Sequence, residues 1–352
     1  MPLSGTYILF FSALVIIGLL IYLIRFYPKQ MMPVGKLISI QTPNPDKYHN
    51  DCLHPCIRHI PEGFCGYNWW MVQSPYYQRD CSLENPILYY SKDSDIPINW
   101  EPVAIVRDTP PMGFNSDPSL FYEDGKMWIL WREVGTPLCE QLGIEKATVG
   151  CFTKDGKDFS SVKVYLTENS VVEDKEQCPI LIKRGSRYLF YTAHYRYKPT
   201  RQSEGIAIWE GTSLESPDFV YKGTTKVKST YTCDKWKQKW IGRRLLFIPK
   251  PQKHDIWHFD LFEYQNKLYL FSAAEWGDNI MLSVSEDYIH FKSRIKPLVN
   301  SHYSEPSLKY RSYLYKPTGF IDHNTLYLYY TSTGKDDKNL NELFYTQGHI
   351  VL

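Results

Sequence analysis

The sequence predicts an all-β fold, a five-bladed β-propeller, preceded by a single N-terminal transmembrane helix. Three observations predict it. One compound motif, a turn followed by a short aromatic-aliphatic strand, recurs five times along the chain. The composition favours strands and turns, with 28 Tyr, 20 Gly and 23 Pro in 352 residues, because aromatic side chains suit a half-buried pleated surface. One apolar run of eighteen residues without a charge, Tyr7 to Ile24, lies near the N-terminus.

At about 1.5 Å per residue that run spans roughly 27 Å, close to the roughly 30 Å of a hydrocarbon core. Tyr22, Phe26 and Tyr27 suit an aromatic belt, with Arg25 and Lys29 beyond it. A cleavable signal peptide is the competing reading, but no Lys or Arg precedes the run and no small-x-small site follows it. Residues 1–30 are therefore assigned to a retained anchor, 31–49 to a linker and 50–352 to the propeller. Arg25, Lys29 and Lys36 follow the span and by the positive-inside rule hold the domain in the cytosol. Cys52, Cys56, Cys65 and Cys81 crowd the start of the domain, as extracytoplasmic disulfides do. The expectation taken here is an extracytoplasmic domain on a single-pass anchor.

The repeated strands are GYNWWMV (66–72), DGKMWILW (124–131), GSRYLFYTA (185–193), QNKLYLFSAA (265–274) and HNTLYLYYTS (323–332). Their aromatics Trp70, Trp128, Tyr188, Tyr269 and Tyr327 are separated by 58, 60, 81 and 58 residues. About ten residues earlier stands a residue followed by Pro and an apolar run: His54-Pro55, Asp117-Pro118, Cys178-Pro179 and Lys316-Pro317, with His258-Phe259 in the fourth copy. A third element follows each strand, as SKDSDIPINW (91–100), TKDGKDF (153–159), SEDYIHF (285–291) and a looser SLESPDF (213–219). Units of this size holding three or four short strands are the signature of propeller blades. A β-sandwich is the alternative, but it does not repeat one compound motif at such even spacing.

The long third interval carries an insertion within 224–255, with nine Lys or Arg against two acids and with Trp236 and Trp240. Such a loop can meet anionic headgroups or an acidic glycan, or be an edge protected by lysines. The whole chain carries a formal charge of only +2, so no nucleic-acid partner is expected. Its 16% aromatic content excludes intrinsic disorder.

In a propeller the innermost strands of all blades meet at a central channel, so residues sixty positions apart converge on one mouth. The positions before the prolines give a ring of His54, Asp117, Cys178, His258 and Lys316. Alternation along a strand puts Asp260 on the face of His258. Asn115, Glu176, Trp257, Glu305, Tyr310 and Arg311 lie nearby in sequence. Carboxylates, imidazoles and an arginine around an apolar funnel suit sugar hydrolysis, which needs a protonated acid at the leaving oxygen and an ionised carboxylate opposite. Trp70, Trp128 and Trp257 are candidates for stacking on sugar faces, and Glu84-Asn85-Pro86 is assigned to a blade edge.

At these residues the sequence resembles a family. The five-unit layout with SDPSLFYEDGKMWIL looks like the superfamily of arabinanases, β-xylosidases, invertases and levansucrases. It is closer still to an uncharacterised microbial and phage branch, through His54-Pro55, Trp70-Met71 to Ser74-Pro75-Tyr76, Glu84-Asn85-Pro86, Asn115 to Pro118, Trp257 to Asp260 and Tyr310 to Ser312. The resemblance implies three acids at the channel mouth: a first-blade nucleophile or base, a second-blade Asp that positions substrate, and a third-blade general acid. Asp117 fills the second position. His54 stands at the first, and Glu176 lies one residue from the third, which Gln177 occupies. Asp260 is then the stand-in for a missing carboxylate. Some relatives hold a structural calcium ion in the channel; no acidic cluster here demands one, so no cofactor and no metal is expected.

The expected function is a membrane-anchored glycoside hydrolase or transglycosidase acting on a poly- or oligosaccharide. Asp117, Asp260 and Glu176 are its catalytic candidates, and His54, His258, Arg311, Trp257, Tyr310, Glu305 and Asn115 its substrate contacts. A non-catalytic glycan-binding or assembly propeller is the alternative, and a protein-interaction scaffold the third reading.

Overall fold

Each repeat folds as a hairpin because its turn residues accept a left-handed backbone. Cys65-Gly66, Asp124-Gly125, Gln265-Asn266 and His323-Asn324 all have positive φ at both central positions, the twist that joins neighbouring antiparallel strands. The computed structural model describes residues 44–167, 175–196, 202–229, 237–241, 244–248, 256–274, 279–293, 297–300, 311–334 and 341–349, with short pieces before residue 41.

The hairpins extend into five antiparallel sheets. Blade 1 comprises Cys56–Phe64, Tyr67–Gln73, Ile87–Ser91 and Glu101–Ile105; blade 2 Phe114–Glu123, Lys126–Val134, Lys146–Thr153 and Lys163–Thr167. Blade 3 comprises Lys175–Arg184, Arg187–Arg196, Gln202–Gly211 and Val220–Thr225; blade 4 Ile256–Tyr264, Lys267–Ala274, Asn279–Ser285 and Lys292–Ser293. Blade 5 contributes Arg311–Asp322, Thr325–Gly334 and Asn341–His349. Its outer edge is completed from the other end of the chain, where Ile38–Ile40 pairs antiparallel with Leu343–Tyr345. The first strand of every blade packs on the first strands of its two neighbours, which closes the ring.

Burial is partitioned by that ring. Five apolar clusters fill the five gaps between adjacent blades. Trp70 and Val72 meet Leu120 and Ile129 between blades 1 and 2. Trp128 meets Phe190 and Trp209 between blades 2 and 3, and Tyr329 meets Trp69 and Tyr89 where blade 5 returns to blade 1. Trp70 and Trp128, expected as sugar platforms, are therefore inter-blade core. The third repeated element is structural as well. The side chains of Asp93, Asp155, Asp218 and Asp287 each accept backbone N–H groups of the following turn or the strand end.

Within the basic insertion, Lys237–Ile241 and Arg244–Ile248 form a two-stranded hairpin that, among the described residues, joins no blade sheet. Trp236 lies outside the described residues. The expected anchor lies for the most part outside them too, and no helix among the described residues is long and apolar enough to cross a membrane. Of the cysteines expected as disulfides, Cys56, Cys65 and Cys81 carry free thiols.

Ring closure by the strand at 38–40 gives a test. Burying Ile40 alone is worth about 1.5–3 kcal/mol, and about 1 kcal/mol moves Tm by roughly 2–4 °C in domains of 150–250 residues. A chain starting at residue 44 is expected to melt at least about 3 °C below one starting at residue 37 in scanning calorimetry. Equal melting temperatures would show that the ring closes without this strand.

Candidate active site

The residues before the prolines reach the channel through breaks in strand pairing. Register shifts fall between Ser116 and Ser119, Gln177 and Ile180, Ile256 and His258, and Leu314 and Pro317. Proline cannot donate to a ladder, so Pro118, Pro179 and Pro317 sit naturally in such bulges. Asp117 and Cys178 adopt φ of 53° and 56°, a conformation that costs non-glycine residues about 1–3 kcal/mol and concentrates at functional sites. The bulges re-aim these side chains toward the axis.

There they meet. His258 Nδ1 lies 3.2 Å and His54 Nε2 3.5 Å from Asp117 Oδ1, and the two imidazole rings are 4.9 Å apart. Cys178 Sγ is 3.1 Å from His258 Nδ1 and 3.5 Å from Asp117 Oδ1. The other carboxylate oxygen, Oδ2, receives Arg132 Nη2 at 3.1 Å and the Ser116 hydroxyl at 3.0 Å. His54 Nδ1 is held by Ser74 Oγ at 3.0 Å. Lys316 donates to the Pro118 carbonyl at 2.7 Å. His54, Asp117, His258 and Lys316 are all buried.

Burial and charge then sort the protonation states. Burial opposes ionisation of Asp117, but His54, Arg132 and His258 outweigh it and hold this carboxyl well below the usual range. Burial pushes both imidazoles down against the pull of Asp117. Burial also pushes the Cys178 thiol up, which leaves it protonated and a poor nucleophile.

Glu84 completes the site. It follows the short turns Tyr77–Arg79 and Cys81–Leu83, which fold the link between the second and third strands of blade 1 over the mouth. Its carboxyl is pushed up to about 8 by burial, with Ser116 and Arg132 opposing and Asp117 adding to the rise. Its Oε2 is buried with no hydrogen-bond partner among the described residues. A protonated acid therefore faces an ionised one across Ser116. Half-buried aromatics rim this mouth, with Trp257 4.6 Å and His258 5.4 Å from the Tyr315 ring, centroid to centroid.

Asp260, expected as the base, has a different position. Both its oxygens take Arg58, at 2.7 and 2.8 Å, and Thr318 Oγ1 and the Leu261 N–H add bonds of 2.6 and 2.8 Å. Arg58 also donates to the Leu120 carbonyl. This buried pair ties the inner strands of blades 1, 2, 4 and 5 together. Asn115, expected to touch substrate, is buried and donates to Asn85 Oδ1 and the Asp108 carbonyl. Glu176 lies on the inner strand of blade 3 opposite His194, and Arg311 opens the inner strand of blade 5 opposite Gly334; their side chains, like all of Glu305 and Tyr310, lie outside the described residues.

Glu84 and Arg132 were not among the sequence candidates. Glu84 was read as a blade edge because no residue spacing shows that a strand-to-strand link folds inward; its place in the ordered motif series was the one available signal. Arg132 follows a repeat strand and shares its face with Leu130, a core position. At the opposite mouth a cavity of about 1070 Å³ is lined by the far halves of the inner strands. Arg58, Glu62, Asp95, Lys183, Glu263 and Asp322 are among the residues lining it.

Asp260→Asn leaves Arg58 without its counter-charge, and breaking a buried pair this way costs about 3–5 kcal/mol. Urea unfolding is expected to show that loss. A change below about 1 kcal/mol would remove the pair from the scaffold role.

The fold has solved counterparts. The chain is similar to an N-acetylgalactosamine deacetylase from F. plautii, solved with blood group B trisaccharide, at TM-score 0.67 and 13% identity over 92% of this chain and 94% of that one. It is similar to a GH43_1 enzyme from Xanthomonas citri at TM-score 0.56 and 9% identity, over 89% and 91% of the two chains. A third is the α-L-arabinofuranosidase Arb93A from Fusarium graminearum, solved with an iminosugar inhibitor, at TM-score 0.53, 13% identity and 86% and 79% coverage. No protein-family model and no curated protein matches the sequence. At these identities the likeness establishes the architecture, the five-bladed propeller expected from the repeats.

Proposed function

We propose that this chain is a carbohydrate-active hydrolase that cleaves or transfers a glycosidic bond of a poly- or oligosaccharide at the Asp117 mouth. The observation that carries the reading is the split titration of two neighbouring carboxyls, Glu84 raised to about 8 and Asp117 held ionised. That division supplies a general acid and a fixed negative charge at one place. Glu84 donates its proton to the leaving oxygen. Asp117, clamped by Arg132, stabilises the positive charge that develops on the sugar ring. Trp257 and Tyr315 offer ring faces for the sugar. Glu176 is the proposed second carboxylate, and Arg311, Tyr310 and Glu305 the proposed outer contacts, on the strength of their sequence positions. The sugar-bound and inhibitor-bound relatives named above support a carbohydrate ligand.

A second reading has its own support. His54 and His258 beside Asp117, together with the fold likeness to a deacetylase, suit hydrolysis of a substituent on the sugar. A lectin-like role remains the non-catalytic rival. Membrane attachment through Tyr7–Ile24 belongs to the proposal and rests on that uncharged run. Extracytoplasmic placement rests on the substrate class, while Arg25, Lys29, Lys36 and the free thiols favour the other face. Protease protection of the propeller in sealed membranes separates the two.

Glu84→Gln keeps the shape and removes the acid. Turnover of a natural glycan, read as new reducing ends, is expected to fall at least about 100-fold, while an aryl glycoside whose leaving group needs no proton is cut nearly as before. In the unaltered protein turnover should decline as pH rises through about 8, where Glu84 loses its proton. Undiminished cleavage by the variant would exclude Glu84 as the acid. Glycan binding with no product of any kind would decide for the lectin-like role.

The same raised carboxyl affects stability. A group that holds its proton more tightly when folded adds stability that is complete below its unfolded value of 4.5 and is lost as pH rises toward about 8. Glu84→Gln is expected to flatten that part of the Tm-against-pH curve; an identical slope in both proteins would mean that Glu84 titrates normally.

A further inference from the structure

We infer that His54, Asp117 and His258 form a binding site for one divalent transition-metal cation at the floor of this mouth. Each offers one ligand atom, all are buried, and the three atoms lie within 4.8 Å of one another. Ligands about 2.1 Å from a tetrahedral metal stand about 3.4 Å apart. The separations of 3.5 Å from His54 Nε2 to Asp117 Oδ1 and 3.2 Å from His258 Nδ1 to the same oxygen bracket that edge.

The surroundings are arranged as outer partners of metal ligands are. Ser74 holds His54 at Nδ1 and so turns Nε2 inward. Arg132 and Ser116 occupy Asp117 Oδ2 and leave Oδ1 toward the imidazoles. Such partners fix tautomer and orientation in metal sites. The strained φ of Asp117 buys this convergence. Glu84 lies beside Asp117 on the Ser116 side, and its buried Oε2 lacks any partner among the described residues.

The donor set also selects the metal. Calcium takes about 6–8 oxygen ligands, and two imidazoles with one carboxylate do not fit it. Two nitrogens and one oxygen, with the Cys178 sulfur 3.1 Å from His258 Nδ1 and 3.5 Å from Asp117 Oδ1 beside them, suit zinc, cobalt or ferrous iron. Arg132 and Lys316 are cations beside the cluster, so the site selects by ligand chemistry rather than by net negative charge. The alternative is a metal-free network in which both imidazoles donate to Asp117 Oδ1. The inference holds whether the sugar bond or a substituent is cut, and it requires neither.

The full chain, stripped with a chelator, is titrated with Co²⁺ by calorimetry and visible absorption, with Zn²⁺, Ca²⁺ and Mg²⁺ as competitors. One equivalent of Co²⁺ with d–d bands, displaced by Zn²⁺ but not by Ca²⁺ or Mg²⁺, is expected. His54→Gln and His258→Gln should each weaken uptake at least about 100-fold, and Ser74→Ala by about 10–100-fold. Ser74→Ala removes one hydroxyl and serves where a histidine variant fails to fold. Folded protein that takes up no stoichiometric Co²⁺, uptake unchanged in His258→Gln, or calcium bound as tightly as cobalt would each overturn the site. Glycan turnover is scored separately in stripped and loaded protein. Turnover without any metal uptake overturns the metal site alone, and uptake without turnover supports the metal site while counting against the hydrolase.

Discussion

A carboxylate buried at the centre of a ring of strands has to be compensated where it stands, and most of the mouth of this propeller follows from Asp117. Desolvation alone would neutralise it. Arg132 and Ser116 prevent that on one oxygen, and two imidazoles face the other. Those imidazoles are themselves buried, and burial pushes them down against the pull of Asp117. The negative charge then acts outward. It adds to the burial that keeps the proton on Glu84. Burial thus sets the protonation of the neighbours, with the ionised Asp117 adding to it at Glu84 and opposing it at the imidazoles, and a single site comes to hold an acid and a base form of the same functional group.

The scaffold that tolerates this arrangement is a second buried pair further along the channel. Arg58 and Asp260 form a two-pronged bond among the inner strands, and Arg58 adds a carbonyl of blade 2 while Thr318 adds a hydroxyl from blade 5. Such pairs contribute less net stability than apolar packing does. What this one adds is registry. Inner strands far apart in sequence are held at one level by directional bonds, while the five inter-blade clusters supply the apolar burial.

The ring was legible in the sequence because its cause is local and repeated. Left-handed turn pairs such as Asp124-Gly125 recur in four of the five units, with Gly185 alone in the third, and the x-Pro positions of Asp117 and Cys178 mark the bulges. What was not legible depends on long-range geometry. Glu84 lies on a link whose path over the mouth is set by two short turns and by Asn85, which bonds Asn115 of the next blade. Asp260 carries the same residue type and strand position that a catalytic base would. Only its distance to Arg58, 202 residues away in sequence, reveals its role. Trp70 and Trp128 likewise read as sugar platforms until the next blade covers them.

Side-chain type therefore does not separate scaffold from site in this fold, and its carboxylates differ in how far their oxygens are engaged. Asp260 has every strong acceptor direction engaged by a donor from the strands around it. The aspartates of the repeated turns are engaged by backbone N–H groups in the same way. Glu84 is different, since it is far more buried than the turn aspartates and yet one oxygen has no partner among the described residues. An unsatisfied buried polar atom carries a penalty of roughly 1–3 kcal/mol, which core atoms such as Trp209 Nε1 and Ser283 Oγ bear as well. A group kept under that penalty, beside a charge that maintains its proton, is arranged for something that arrives from outside the protein.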